Sequence, residues 1–136
     1  SYGGYLVTWI TGQTDRYAAS VCHAGVTDLL GQYASDHTAG RDTAMGGVPW
    51  EDMDAVLRWS PMAHTHDIVT PTLVIHGELD YRVVITQGLE LYGLLKAKGV
   101  PTRLLYYADE GHWIENRSNA LVWWSEVLGW LERHLG

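Results

Sequence analysis

The chain has 136 residues, the length of one domain, and 46% of them are hydrophobic against 18% charged, so it can bury a core and carries no signature of disorder. Its formal net charge is −7 and its only lysines are Lys96 and Lys98, which argues against a nucleic-acid backbone as partner, because that needs clustered cations. No apolar run is long enough to span a bilayer, and the single cysteine, Cys22, allows no internal disulfide, leaving cytoplasm, periplasm and secretion open.

Ser1-Tyr2-Gly3-Gly4-Tyr5 places Ser-x-Gly ahead of an apolar helix, as in the second half of a nucleophile elbow, Gly-x-Ser-x-Gly. Residues 2–11 read as that helix, with Tyr5, Leu6, Trp9 and Ile10 on one apolar face and Gly12 as its stop. Gly3 and Gly4 are poor helix formers, so either the first turn packs closely against a strand or a substrate, or it frays. Residues 18–23 read as a strand. Residues 26–45 read as a long, polar, irregular connection of the kind that carries binding residues. Gly46-Gly47-Val48-Pro49 punctuates the chain, and Trp50, Met53 and Leu57 then repeat at helical spacing until Ser60-Pro61.

His64-Thr65-His66-Asp67 lies in a polar connector without the further ligands a zinc site needs, so no metal is expected there. After Pro71, residues 72–76 form a continuous apolar run, the pattern of a strand buried on both faces of a parallel sheet. Residues 77–82 are the loop beyond it. Ile85, Leu89, Tyr92 and Leu95 make a helical stripe closed by Gly99. Residues 103–107 read as a strand and 108–112 as the following loop. Asn116-Arg117-Ser118 matches the glycosylation sequon, a frequent chance match. Trp124, Leu128, Leu131 and Leu135 mark an amphipathic C-terminal helix. The alternation of helices and strands predicts an α/β fold, a parallel sheet with helices on both sides.

In such a sheet, ligands bind beyond the carboxyl ends of the strands. Asp80 and His112 each lie just past a strand, and Ser1 would too if it is an elbow serine. The order Ser, Asp, His is that of α/β-hydrolases. A serine hydroxyl needs a base to become nucleophilic; His112 can take its proton and Asp80 can orient the imidazole. The backbone N–H of Tyr2 would be one oxyanion donor, with a second required from upstream. Glu78, Asp109 and Glu110 compete with Asp80 for the acid's role. Tyr2, Tyr5 and the 26–45 segment are candidates to line a pocket, and Arg82 to bind a substrate carbonyl or carboxylate, or else to form a surface salt bridge.

The stretches Ser-Tyr-Gly-Gly-Tyr, His76-Gly77-Glu78-Leu79-Asp80-Tyr81-Arg82-Val83 and Asp109-Glu110-Gly111-His112-Trp113 resemble the catalytic domain of prolyl oligopeptidase-family serine peptidases, above all the acylaminoacyl-peptidase and dipeptidyl-peptidase V branch. Ser60-Pro61, Pro71-Thr72-Leu73 and residues 99–103 and 123–130 extend the likeness over nearly the whole chain. Leu79 stands where that branch often has a polar residue, and Val84 where proline is common. The resemblance implies an α/β-hydrolase whose C-terminal portion is residues 1–136, with Ser1 as nucleophile, Asp80 as acid, His112 as base and the Tyr2 N–H at the oxyanion. It implies peptide or acyl-peptide substrates released near the peptide N-terminus, and no cofactor. Its implied partners are the remainder of the catalytic domain and a β-propeller, with a homo-oligomer also open. The same residues admit an esterase or lipase of this fold, a non-catalytic module, or a hydrolase that uses the Ser1 amine as base. The segment by itself is expected to be inactive, because an elbow strand must pair beside the others.

Overall fold

The computed structural model describes residues 1–35 and 47–136. Its elements in chain order are α1 (Tyr2–Thr11), β1 (Ser20–His23), α2 (Leu29–Ser35), α3 (Met53–Trp59), a 3-10 turn (Pro61–His64), β2 (Thr72–Gly77), α4 (Thr86–Lys98), β3 (Thr102–Tyr107) and α5 (Arg117–Leu135). The apolar run becomes the central strand, and all six residues of β2 are buried. Parallel strands flank it in the order β1-β2-β3, with Ser20 opposite Thr72 and Thr72 opposite Thr102. All three carboxyl ends therefore meet at one rim.

Side chains alternate along each strand, so each face of the sheet has its own core. Cys22, Val74 and Leu104 pack with Ile68, Val100 and the Leu91 and Leu95 side of α4. Val21, Leu73, Ile75, Leu105 and Tyr107 pack with Trp123, Val127, Trp130 and Leu131 of α5. Leu91 and Leu95 are wholly buried, each worth about 1.5–3 kcal/mol relative to exposure. Gly99 ends α4 at φ 82, a left-handed conformation that glycine adopts without strain.

Apart from α2, the helices lie where the periodicity predicts, but several bury a different face. In α1 the buried residues are Gly4, Thr8 and Thr11, of which Gly4 and Thr8 meet β1, while Leu6 is exposed. Small side chains let that helix approach the strand; the Thr8 hydroxyl bonds the Gly4 carbonyl at 2.9 Å, and Cys22 packs beside it. The aromatic face of α1 instead stacks on α3 and the 3-10 turn, with Trp9 5.4 Å from Trp59 and 4.8 Å from His64 between ring centroids. In α3, Val56 is buried while Trp50 before it and Met53 and Leu57 within it are exposed. In α4, Leu89 is exposed and Gln87 and Gly88 are buried. In α5 the expected stripe is largely outward, with Trp124, Leu128 and Leu135 exposed.

The 26–45 connection is not irregular throughout. Residues 29–35 are helical because Asp28 accepts from the Leu30 and Gly31 amides at 3.0 Å each and so caps α2; residues 36–45, and Gly46 after them, lie outside the described residues. The 64–67 connector is also ordered: His64 Nε2 bonds the Arg58 carbonyl at 2.8 Å, and Lys98 donates to the carbonyls of Thr65, His66 and Ile68. Among the described residues, no group of three or more ligating side chains could hold a metal ion, and no helix is long and apolar enough to cross a membrane. Asn116 of the sequon caps α5, accepting from the Ser118 amide at 3.0 Å.

Candidate active site

Asp80 sits in the loop that leaves β2. The Glu78 amide donates to the Tyr107 carbonyl at 2.8 Å and the Leu79 amide to the Glu110 carbonyl at 3.0 Å, so this loop and the one after β3 are joined backbone to backbone. Gly77 makes that approach possible, because a Cβ there would strike the carbonyl oxygens of Glu110 and Gly111. Asp80 is 2% exposed. Its Oδ1 accepts from the amides of Arg82 at 2.9 Å and Val83 at 2.8 Å, a turn that locks the carboxylate plane. Its Oδ2 lies 2.7 Å from His112 Nδ1 and 3.4 Å from His76 Nε2. Burial would push the Asp80 carboxyl up, but hydrogen bonds from His76, the Val83 amide and His112 outweigh it and hold the group below the usual carboxylate range.

A carboxylate only accepts, so the hydrogen between His112 and Asp80 belongs to His112 Nδ1, and in the neutral imidazole that tautomer gives Nε2 the lone pair. Trp113 meets the imidazole edge-on at 5.1 Å. The rival acids have other partners. Glu110 accepts from the amides of Glu115 and Asn116 at 3.0 Å each and from the Asn119 side chain at 2.8 Å, which orders the end of the His112 loop. Asp109 accepts from Asn119 at 3.0 Å, and Glu78 is hydrogen-bonded to Tyr106. Of the four carboxylates, Asp80 is the one against His112.

Ser1 is the N-cap residue of α1. Its carbonyl accepts from the Tyr5 amide at 3.0 Å and the Val26 amide at 3.4 Å, while its side chain is exposed and makes no cap hydrogen bond. The first turn is held against the end of β1 through glycines: a Cβ on Gly4 would land on the Gly25 backbone. Close packing is thus the reason for Gly4, whereas Gly3 has open space around it. His23, at the carboxyl end of β1, is pushed down to about 4, by burial first and then by His76. Ser1, Asp80 and His112 therefore share one rim. The Asp80–His112 contact is assembled there; the Ser1 hydroxyl makes no hydrogen bond to His112 among the described residues.

The Tyr2 ring is 69% exposed and stacks on Tyr5 at 5.7 Å between centroids. The Tyr5 hydroxyl donates to the Trp59 carbonyl at 2.9 Å, so it ties α1 to α3 and its polar end is already engaged. The main chain of Arg82 is fixed by Asp80 and by Gln32, which donates to its carbonyl at 2.9 Å. Its guanidinium is exposed, and the salt bridge considered for it does not form among the described residues. Motif reading gives no role to two groups at this rim, His23 and His76. The signal that could have found them is a histidine within each short, otherwise apolar strand.

A family model described as the prolyl oligopeptidase family matches residues 1–136. The chain is 39% identical over 134 residues to the dipeptidyl-peptidase 5 of Schizosaccharomyces pombe, covering 96% of this chain and 20% of that one. It is 36% identical over 140 aligned positions to the dipeptidyl-peptidase 5 of Aspergillus oryzae, covering 100% of this chain and 19% of that one. The chain thus spans about a fifth of the length of these relatives. In three dimensions it resembles the acylaminoacyl peptidase of Pyrococcus horikoshii, with a TM-score of 0.89 at 25% identity over 98% of this chain and 23% of that one. It has the fold of a puromycin-hydrolyzing peptidase of Mycobacterium tuberculosis, with a TM-score of 0.92 at 23% identity over 100% of this chain and 21% of that one.

Proposed function

The chain belongs to the prolyl oligopeptidase family, and from that premise we infer that it carries the triad of a serine peptidase that releases dipeptides or acylated residues from peptide N-termini. The observation that carries this reading is the 2.7 Å contact of His112 Nδ1 with the buried Asp80 carboxylate, on the rim where α1 begins at Ser1. On this reading residues 1–136 are the C-terminal part of an α/β-hydrolase domain. The elbow strand before Ser1, the earlier strands, a second oxyanion donor and a β-propeller belong to the rest of the protein. The relatives, about five times as long, leave room for that arrangement.

The chemistry follows from the groups. His112 Nε2 takes the Ser1 proton as the hydroxyl attacks the scissile carbonyl, and Asp80 stabilises the imidazolium. The Tyr2 amide donates to the oxyanion, a kind of interaction whose loss costs about 10²–10³-fold in turnover. His112 then gives the proton to the departing amine, leaving an acyl-enzyme on Ser1 that water hydrolyses by the same route in reverse. The catalytic Ser1–His112 hydrogen bond is one of those that often tighten only when substrate is bound. The substrate class rests on the names of the relatives, dipeptidyl-peptidase 5 and acylaminoacyl peptidase.

The test is turnover of dipeptidyl, acylaminoacyl and simple ester substrates by the full-length protein. Release of dipeptides or acylated residues is expected, with Asp80→Asn lowering kcat by about 10⁴-fold. Hydrolysis of esters alone would assign an esterase. Full activity in Asp80→Asn and His112→Ala would remove the triad.

A further inference from the structure

His76 is wholly buried in β2, one residue before the loop that carries Asp80. Its Nε2 lies 2.7 Å from the Val83 carbonyl. A carbonyl only accepts, so Nε2 carries the hydrogen. The same Nε2 lies 3.4 Å from Asp80 Oδ2, the oxygen that meets His112. On the other side of the ring, Nδ1 has no hydrogen-bond partner and faces α4 at Gly88. A Cβ on Gly88 would come within 2.7 Å of that nitrogen and 3.1 Å of the His76 Cβ, so glycine there opens the slot in which the imidazole sits.

An apolar residue would fill this strand position with no polar group to bury, whereas an imidazole with one nitrogen unpartnered costs stability. What histidine adds is a donor at Nε2. Two amides fix Asp80 Oδ1, but Oδ2 is restrained on the protein side, apart from His112, through His76. We propose that His76 is a positioning residue of the triad: seated by Gly88, it bridges the Val83 carbonyl and Asp80 Oδ2 and so holds in place the oxygen that orients His112. This rests on the peptidase reading above, and it gives a role to a residue that touches neither substrate nor the reacting atoms.

The test uses the full-length protein and a peptide substrate, comparing His76→Leu, His76→Gln and Gly88→Ala. Leucine removes the donor, and glutamine returns an N–H near the Nε2 position. His76→Leu is expected to lower kcat by about 10²-fold, the scale of a misplaced catalytic group, with KM unchanged. His76→Gln is expected to recover most of kcat. Gly88→Ala keeps the imidazole but displaces it, and is expected to show the same loss in kcat; it decides the matter if His76→Leu does not fold. Retention of kcat in His76→Leu or in Gly88→Ala, or equal impairment in leucine and glutamine variants, would overturn the inference. Ser1→Ala and His112→Ala separate the two levels. If both keep full activity the peptidase reading itself fails, whereas if both are inactive and His76→Leu is fully active only the role of His76 fails.

Discussion

The Leu79 amide donates to the Glu110 carbonyl at 3.0 Å, and this bond joins the loop that carries Asp80 to the loop that carries His112. The two groups are thirty-two residues apart in the chain, yet they meet because β2 and β3 are neighbours in parallel register and deliver both loops to one rim. Each loop is then fixed internally, the first by Asp80 itself and the second by Glu110.

That junction depends on the bare backbone of Gly77, which leads to a first prediction. Gly77→Ala would press a methyl group onto the Glu110 and Gly111 carbonyls. We expect a loss of about 1–3 kcal/mol in stability from overpacking and, in the folded fraction, a kcat reduced by about 10²-fold as Asp80 and His112 separate. Denaturant unfolding and steady-state kinetics on the full-length protein read the two effects independently. Unchanged kcat would show that the junction does not set the geometry of the pair.

A second prediction concerns pH. His23 has its pKa lowered from 6.5 to about 4, with burial as the main cause. Between those values the unfolded chain binds a proton that the folded chain does not, so stability rises with pH across the window. The contribution is fully present above 6.5 and is lost as pH falls toward 4. It amounts to roughly 3 kcal/mol at most. Asp80, held low, adds a contribution that is lost only below its ordinary value of 3.8. The denaturant midpoint should therefore fall between pH 7 and pH 4.5, and His23→Gln should flatten that slope. An equal slope in the variant would contradict the assignment to His23.

A third prediction concerns the segment in isolation. Leu121, Trp124, Leu128 and Leu135 of α5 and Trp50 and Leu57 around α3 are exposed, and the outer edge of β1 pairs with no strand among the described residues. Exposed apolar faces and an open sheet edge favour association. Residues 1–136 produced alone are expected to self-associate and to show no peptidase activity. Size-exclusion chromatography with an activity assay checks this; a monodisperse, active preparation would refute it.

The strands and the loops after them were legible in the sequence because the signals are strong: a continuous apolar run at 72–76, and Asp80 and His112 each a few residues past a strand. Apart from α2, the helices were legible as helices but not by face. Counting bulky apolar residues selects Leu6 in α1 and Trp124, Leu128 and Leu135 in α5, whereas the sheet is met by Gly4 and Thr8 and by Val127 and Trp130. In α1 close approach favours small side chains, a preference that periodicity does not record. The helix at 29–35 was missed, because the polar surroundings of its Asp28 cap read as an irregular connection. His76 was hidden because its partners are a backbone carbonyl seven residues on and a glycine in another helix, neither of which has a fixed spacing.

The most direct test of the account is labelling of the full-length protein with a fluorophosphonate, which reacts with a serine only when a base activates it. Mass spectrometry of the labelled protein should place a single adduct on Ser1, and labelling should be abolished in His112→Ala and greatly slowed in Asp80→Asn. An adduct on another serine, or labelling of Ser1 at the same rate in His112→Ala, would contradict a triad built from these three residues.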